Sequence, residues 1–247
     1  MKLVYLGAIG TGLVIIFGIA MISPAFTRMQ DNTAQQLKVL LTFSVINDSN
    51  VPDWCNDLSS VLNKYDVSAT VFITGKVADQ NPECVTTFSD NIDIGSQTYS
   101  YVDLPSVPNY TAQLEEVKKG KDSVDNAGNL DSKVFKAPYG STDQNIYSLL
   151  SRSNILADFS YENQYNKYYI DKFIWFNVTS YEGNEYQPEF FHKLSATDTP
   201  VLINFDNSTP VESIDGFIAD LKSNEIRFLN ASEVTRIDLT VREGMQP

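Results

Sequence analysis

The chain of 247 residues carries 31 acidic against 18 basic side chains, a formal net charge of −13, and its isoelectric point lies near 4.4. Such a balance repels phosphate backbones and anionic headgroups, which argues against nucleic acid as a partner and against electrostatic docking on lipid. With 43% hydrophobic and 20% charged residues, the composition is that of a folded domain of about 200 residues with an appendage, not of a disordered chain.

From Leu3 to Thr27 there is no charged side chain, a run long enough to cross about 30 Å of hydrocarbon as a helix. A cleaved signal peptide and an uncleaved anchor are the two readings. The run exceeds the usual ~7–15-residue core of a signal peptide, and Ile22-Ser23-Pro24-Ala25 is a poor cleavage site, so the anchor is favoured. Lys2 on one side is offset by Arg28 on the other, which leaves orientation weakly specified. The expected organisation is a membrane anchor or signal segment over 1–28, a short polar stalk over 29–36, and one domain over 37–240. That domain is expected outside the cytoplasm, single-pass, or secreted if the segment is cleaved.

Beyond the stalk, apolar β-rich runs occur at 37–45, 68–74, 92–96, 134–137, 155–159, 201–205 and 227–230, each short and flanked by turn residues. Helical spacing occupies the intervals. Over 52–64, Trp54, Leu58, Val61 and Leu62 share a face; over 111–124, Leu114, Val117 and Val124 do; 144–151 and 211–223 follow suit. Strand–helix alternation of this kind predicts an α/β domain with a mainly parallel sheet, open or closed into a barrel. The stretch 161–186 is polar and aromatic instead, and is expected to form a long loop or short edge strands.

Several segments carry a further signal. In order they are Lys38-Val39-Leu40-Leu41-Thr42-Phe43, Lys64-Tyr65-Asp66-Val67-Ser68-Ala69-Thr70-Val71-Phe72-Ile73-Thr74-Gly75, and Ile94-Gly95-Ser96-Gln97-Thr98-Tyr99-Ser100-Tyr101. Phe135-Lys136-Ala137-Pro138-Tyr139-Gly140, Val201-Leu202-Ile203-Asn204 and Phe228-Leu229-Asn230-Ala231-Ser232-Glu233-Val234 follow. In that order and spacing, over roughly 37–235, the chain resembles the polysaccharide deacetylase family (the NodB-homology domain). The resemblance implies a distorted (β/α) barrel of about seven strands with a sugar groove at the strand C-terminal ends. It also implies hydrolysis of N-acetyl amide bonds in chitin-like or peptidoglycan-like glycans, helped by a divalent metal such as zinc.

That chemistry requires a metal to polarise the carbonyl and activate water, a carboxylate base, and an imidazole acid. The family places two adjacent Asp residues after Thr-Phe, where this chain has Ser44 and Val45. Its two His ligands, four apart, correspond to Gln97 and Tyr101; its motif Arg corresponds to Lys136 and its late acid His to Asn204. A serine hydroxyl has no useful basicity at neutral pH, and valine offers a metal no lone pair. Gln and neutral Tyr are weak ligands, and Lys keeps a charge without the bidentate fork of Arg. No catalytic or metal-binding residue is therefore expected. The groove is expected to be lined by Ser44, Gln97, Tyr99, Tyr101, Lys136, Pro138, Tyr139 and Asn204, whose rings, amides and ammonium suit sugar rings and acetamido groups.

The chain holds one histidine, His192, so a two-His metal site cannot form from it; a surface or half-buried position on a helix is expected. Asp103, Asp158 and Asp206 fall near strand ends. They could gather with Asn204 around a hard cation, or as an acid/base pair, but capping of turns is the commoner use of Asp there. Cys55 and Cys84 form either one disulfide in an oxidising compartment or two buried thiols. Five Asn-x-Ser/Thr sequons start at Asn47, Asn109, Asn177, Asn207 and Asn230. The expected function is a catalytically silent, membrane-anchored deacetylase relative that binds cell-surface glycan without a cofactor. The alternatives are an active hydrolase with a relocated centre and a structural or protein-interaction module of the cell envelope.

Overall fold

The computed structural model describes residues 37–46, 50–141, 144–160 and 200–235, together with the backbone of short strands between 169 and 182. These belong to a compact unit running from Gln35 to Pro247. The central strand is β1 (Lys38–Val45), flanked by β2 (Ala69–Ile73) on one side and β9 (Val201–Asp206) on the other. Next to β2 come β3 (Ile92–Ser96), β4 (Val134–Phe135), β5 (Ala157–Asp158), β7 (Phe173–Trp175) and the edge strand β6 (Tyr169–Ile170). Beyond β9 lies β8 (Ser180–Glu182). All described pairings are parallel except β6 with β7. The result is a parallel-stranded α/β half-barrel.

Strand β1 divides one of its edges. Its first half, Lys38 to Leu40, pairs with β10 (Arg227–Leu229), and its second half, Thr42 to Val45, pairs with β2. Its other edge pairs with β9 from Val39 to Ser44. Seven of its eight residues are buried, the signature of a parallel strand covered on both faces.

Period-two alternation sorts side chains into two layers. Val39, Leu41, Phe43 and Val45 join Val71, Ile73, Ile203 and Phe205 in the layer beneath the helices. Leu40, Phe72, Val134, Ala157, Phe159, Leu202 and Leu229 fill the concave inner side. The main covering helices are α1 (Val51–Tyr65), α4 (Tyr110–Gly128), α5 (Gln144–Arg152) and α6 (Val211–Ser223). Helix α1 buries Val51, Trp54, Cys55, Leu58 and Leu62, whereas Val61 is only half-buried. Pro52 stands in the first turn of α1, where its missing N–H is not needed, and Asp66 ends it in a left-handed conformation with φ 49°.

Among the described residues there are ten strands rather than about seven. The additional ones, β6, β7 and β8, are two or three residues long and lie in the aromatic stretch, β6 and β8 at the two edges of the sheet. Two short helices, α2 (Gly75–Gln80) and α3 (Glu83–Thr86), also lie between β2 and β3; four to six residues are too few to display a helical period. Cys84 in α3 is bridged to Cys55 in α1 with Cα atoms 5.4 Å apart, tying two helices under the same apolar layer. No described helix is long and apolar enough to cross a membrane. The apolar run 3–27 and His192 lie outside the described residues.

Candidate functional site

The residues at the C-terminal ends of the strands form two tiers. In the lower, buried tier, Ser44 and Thr42 are in phase with inner-layer Leu40, Asn204 with Leu202, and Lys136 with Val134, so all four point into the concavity. Their exposures are 2%, 0%, 4% and 2% respectively. The Lys136 ammonium donates to Ser44 Oγ at 2.7 Å and to Asn204 Oδ1. Thr42 Oγ1 donates to the same Asn204 oxygen at 3.1 Å, and Ser44 Oγ lies 3.4 Å from it. One amide oxygen of β9 thus gathers two hydroxyls from β1 and a cation from the end of β4.

Gln97 extends this tier. It is fully buried, and its Nε2 donates to Phe72 O at 2.9 Å and Val45 O at 3.4 Å, the backbone of β2 and β1. Its Oε1, and Thr74 Oγ1 at the end of β2, have no protein partner. Buried polar atoms of this kind are costly unless water or a ligand group meets them. Thr42 and Thr74 were not singled out from sequence; the signal that finds them is their alternation in phase with Leu40 and Phe72.

The upper tier is aromatic. Tyr101 is half-buried and Tyr139 is 55% exposed, with ring centroids 5.2 Å apart. Both have left-handed backbones, φ 58° and φ 60°, conformations that cost a non-glycine residue free energy and cluster where function demands them. Pro138 is buried in the turn beneath Tyr139. Tyr99 faces away from this pair, under Lys119 of α4, whose Nζ is 3.6 Å from its ring centre.

Helix α4 fastens the loop that bears Gln97, Tyr99 and Tyr101. Tyr99 N donates to Glu116 O, while the Glu116 carboxylate accepts from Ser100 N and Ser100 Oγ. The approach is so close that a Cβ on Gly120 would stand 2.6 Å from Gln97 O and 2.9 Å from Tyr99 N. Backbone cannot yield as a side-chain tip does. Gly120→Ala is expected to destabilise the fold by about 1–3 kcal/mol and to displace this loop. Urea unfolding together with near-ultraviolet circular dichroism of the tyrosines would detect both effects; an unchanged midpoint would contradict the close packing.

The three aspartates do not gather. Asp206 Oδ1 accepts from Ser208 N in a turn, and Asp158 Oδ1 accepts from Ser160 N. Asp158 lies between inner-layer Ala157 and Phe159, so its side chain points to the opposite face, toward the helices. It is fully buried, and desolvation raises its pKa to about 7 against the opposing hydrogen bonds of Ser160. Asp103 lies just before the 3₁₀ turn Leu104–Ser106, with Oδ1 buried and unpartnered. Among the described residues no group of three His, Cys, Asp or Glu side chains is placed to hold a metal ion.

The parallel α/β half-barrel thus presents a buried polar cluster at its strand C-terminal ends. The family model for polysaccharide deacetylase matches residues 31–156, just over half of the chain, and the protein belongs to that family. No curated protein sequence matches significantly. Among solved structures, a CE4 family pseudoenzyme from Bacillus anthracis superposes with TM-score 0.58 at 15% identity, covering 80% of this chain and 66% of that one. A mutant of the same pseudoenzyme, described as having restored enzymatic activity, gives 0.61 at 14%, with coverages of 81% and 67%. A mutant of the peptidoglycan deacetylase PdaC from Bacillus subtilis gives 0.59 at 15%, with coverages of 85% and 98%. The chain thus spans about two thirds of the pseudoenzyme structures, and at these identities the likeness concerns the fold.

Proposed function

We propose that this protein is a catalytically silent polysaccharide-deacetylase relative that binds cell-surface carbohydrate at the aromatic rim. The observation that carries the reading is the Lys136–Asn204–Ser44–Thr42 cluster. At the family's base and acid positions, the polar groups are buried and hydrogen-bonded to one another. The family's divalent metal does not fit them: the donors are neutral, an ammonium stands among them, and the Gln97 amide turns its NH₂ toward two carbonyls. No carboxylate base or imidazole acid accompanies Ser44, Gln97 or Asn204, so no hydrolytic step is derived for this site.

Carbohydrate recognition falls to Tyr101 and Tyr139, whose paired rings offer a face to the apolar side of a pyranose. The unpartnered Gln97 Oε1 and Thr74 Oγ1 are buried and suit enclosed water rather than direct contact with a sugar. Placement outside the cytoplasm, on a single N-terminal anchor over 1–28 with a stalk over 29–36, is supported by the uncharged run 3–27 and by the Cys55–Cys84 bridge.

The purified full chain, offered chitin oligosaccharides and peptidoglycan fragments with and without zinc, is expected to bind glycan and release no acetate. Tyr139→Ala is expected to weaken binding by about tenfold, the loss of one stacking face. Acetate release would restore the active-hydrolase reading. Absence of glycan binding would leave a structural or protein-interaction module of the envelope.

A further inference from the structure

Three of the five sequons lie among the described residues, and the structure separates them by what their amides already do. Asn207 uses both ends: Oδ1 accepts from Ile46 N at 2.9 Å and Nδ2 donates to Ile46 O at 3.2 Å, joining the ends of β1 and β9. Asn230 is 8% exposed; its Oδ1 accepts from Glu233 N and its Nδ2 donates to Asn91 O. In both, the nitrogen that a sugar would have to occupy is committed to the fold.

Asn109 differs in each respect. Asn109, Tyr110 and Thr111 are all exposed. Asn109 caps α4 with its oxygen alone, Oδ1 accepting from Ala112 N at 3.0 Å. An N-glycosidic link uses Nδ2 and keeps the carbonyl, so the cap survives modification. Thr111 Oγ, two residues on, completes the sequon at the surface. The Cys55–Cys84 bridge, formed by two fully buried side chains, fits an oxidising compartment, the kind in which such links are made.

We infer that Asn109 is an N-glycosylation site of this protein, with a lipid-phosphate-linked oligosaccharide as the donor class. The Asn109 Nδ2–C1 bond forms as the C1–O bond to the lipid phosphate breaks. The amide proton goes to the transferring enzyme's base, and the lipid phosphate leaves with the electron pair. The glycan stands at the N-terminus of α4, at the end of the loop that follows Tyr99 and Tyr101. The inference rests on the proposed placement outside the cytoplasm.

The test is mass spectrometry of the full chain isolated from its own cells. Tryptic cleavage after Lys76 and Lys118, followed by reduction of the Cys55–Cys84 link to the 39–64 peptide that holds Asn47, isolates a peptide in which Asn109 is the sole sequon. The expected result is a mass increase by whole sugar units on this peptide, kept in Thr111→Ser and lost in Thr111→Ala, which leaves the Asn109 cap in place. An unmodified wild-type peptide overturns the inference. The oxidation state of Cys55 and Cys84 in the same digest before reduction separates the two failures: bridged cysteines leave the compartment standing, whereas reduced ones remove it as well.

Discussion

Asp158→Asn is expected to make the protein more stable at pH 8 than the native chain and to leave stability near pH 4 almost unchanged. The Asp158 carboxyl is fully enclosed, and desolvation lifts its pKa from 3.8 to about 7. In the unfolded chain the group loses its proton near pH 4, while the folded chain retains it to about 7. Between those values the folded state binds the extra proton, so stability falls as pH rises, and above 7 the charged form must be buried. Each pH unit across this window removes about 1.4 kcal/mol, so the whole loss approaches about 4 kcal/mol.

Asparagine has the shape of the protonated acid and keeps the oxygen that accepts from Ser160 N. It therefore removes the titration without emptying the site. Urea midpoints at pH 4, 6 and 8 should slope downward in the native chain and lie flatter in the variant. Parallel slopes would mean that Asp158 is hydrated or paired. The site matters for the rim as well, because Ser160 Oγ accepts from Ala137 N, directly before the Pro138-Tyr139 turn.

Removing the disulfide as Cys55→Ala with Cys84→Ala is the second large expected effect. The bridge closes a loop of sequence separation 29, and releasing it returns chain entropy to the unfolded state worth roughly 3–4 kcal/mol. Both side chains are fully buried, so truncation also removes packing beneath α1 and α3. For a domain of this size the melting temperature should fall by about 10 °C. Reductant should lower the native chain's melting temperature in the same direction and leave the double variant unmoved. A native chain indifferent to reductant would mean that the two thiols are not joined in solution.

Much of the fold was legible because its long elements obey one period each. Strand β3 begins and ends where its apolar run does, as does helix α6. Helix α4 extends at both ends past the run 111–124, since Asn109 caps it and Asn129 closes it in a left-handed turn, neither of which shows in hydrophobic spacing. The short strands β6 to β8 were anticipated only as a stretch and not residue by residue, because two or three residues cannot display alternation.

The candidate site was legible as positions but not as relations. Ser44, Gln97, Lys136, Pro138 and Asn204 do end the strands or the turns after them, yet they lie beneath the surface, and only Tyr139 of the eight is mostly open. Tyr99 packs under Lys119 of α4. Sequence names a residue's type; whether it faces solvent or a neighbour depends on strand phase and on loops pinned from elsewhere, as Glu116 and Gly120 pin this one.

The division of one edge of β1 between β10 and β2 sets an order of assembly. As the chain lengthens from its N-terminus, β2 reaches β1 early, but β9 and β10 begin only at Val201 and Arg227. Until then the central strand keeps one whole edge and half of the other bare, a template for wrong partners. Contacts of such long range slow folding. The domain therefore closes last at its own middle, and a nascent chain is most in need of protection before β9 and β10 emerge.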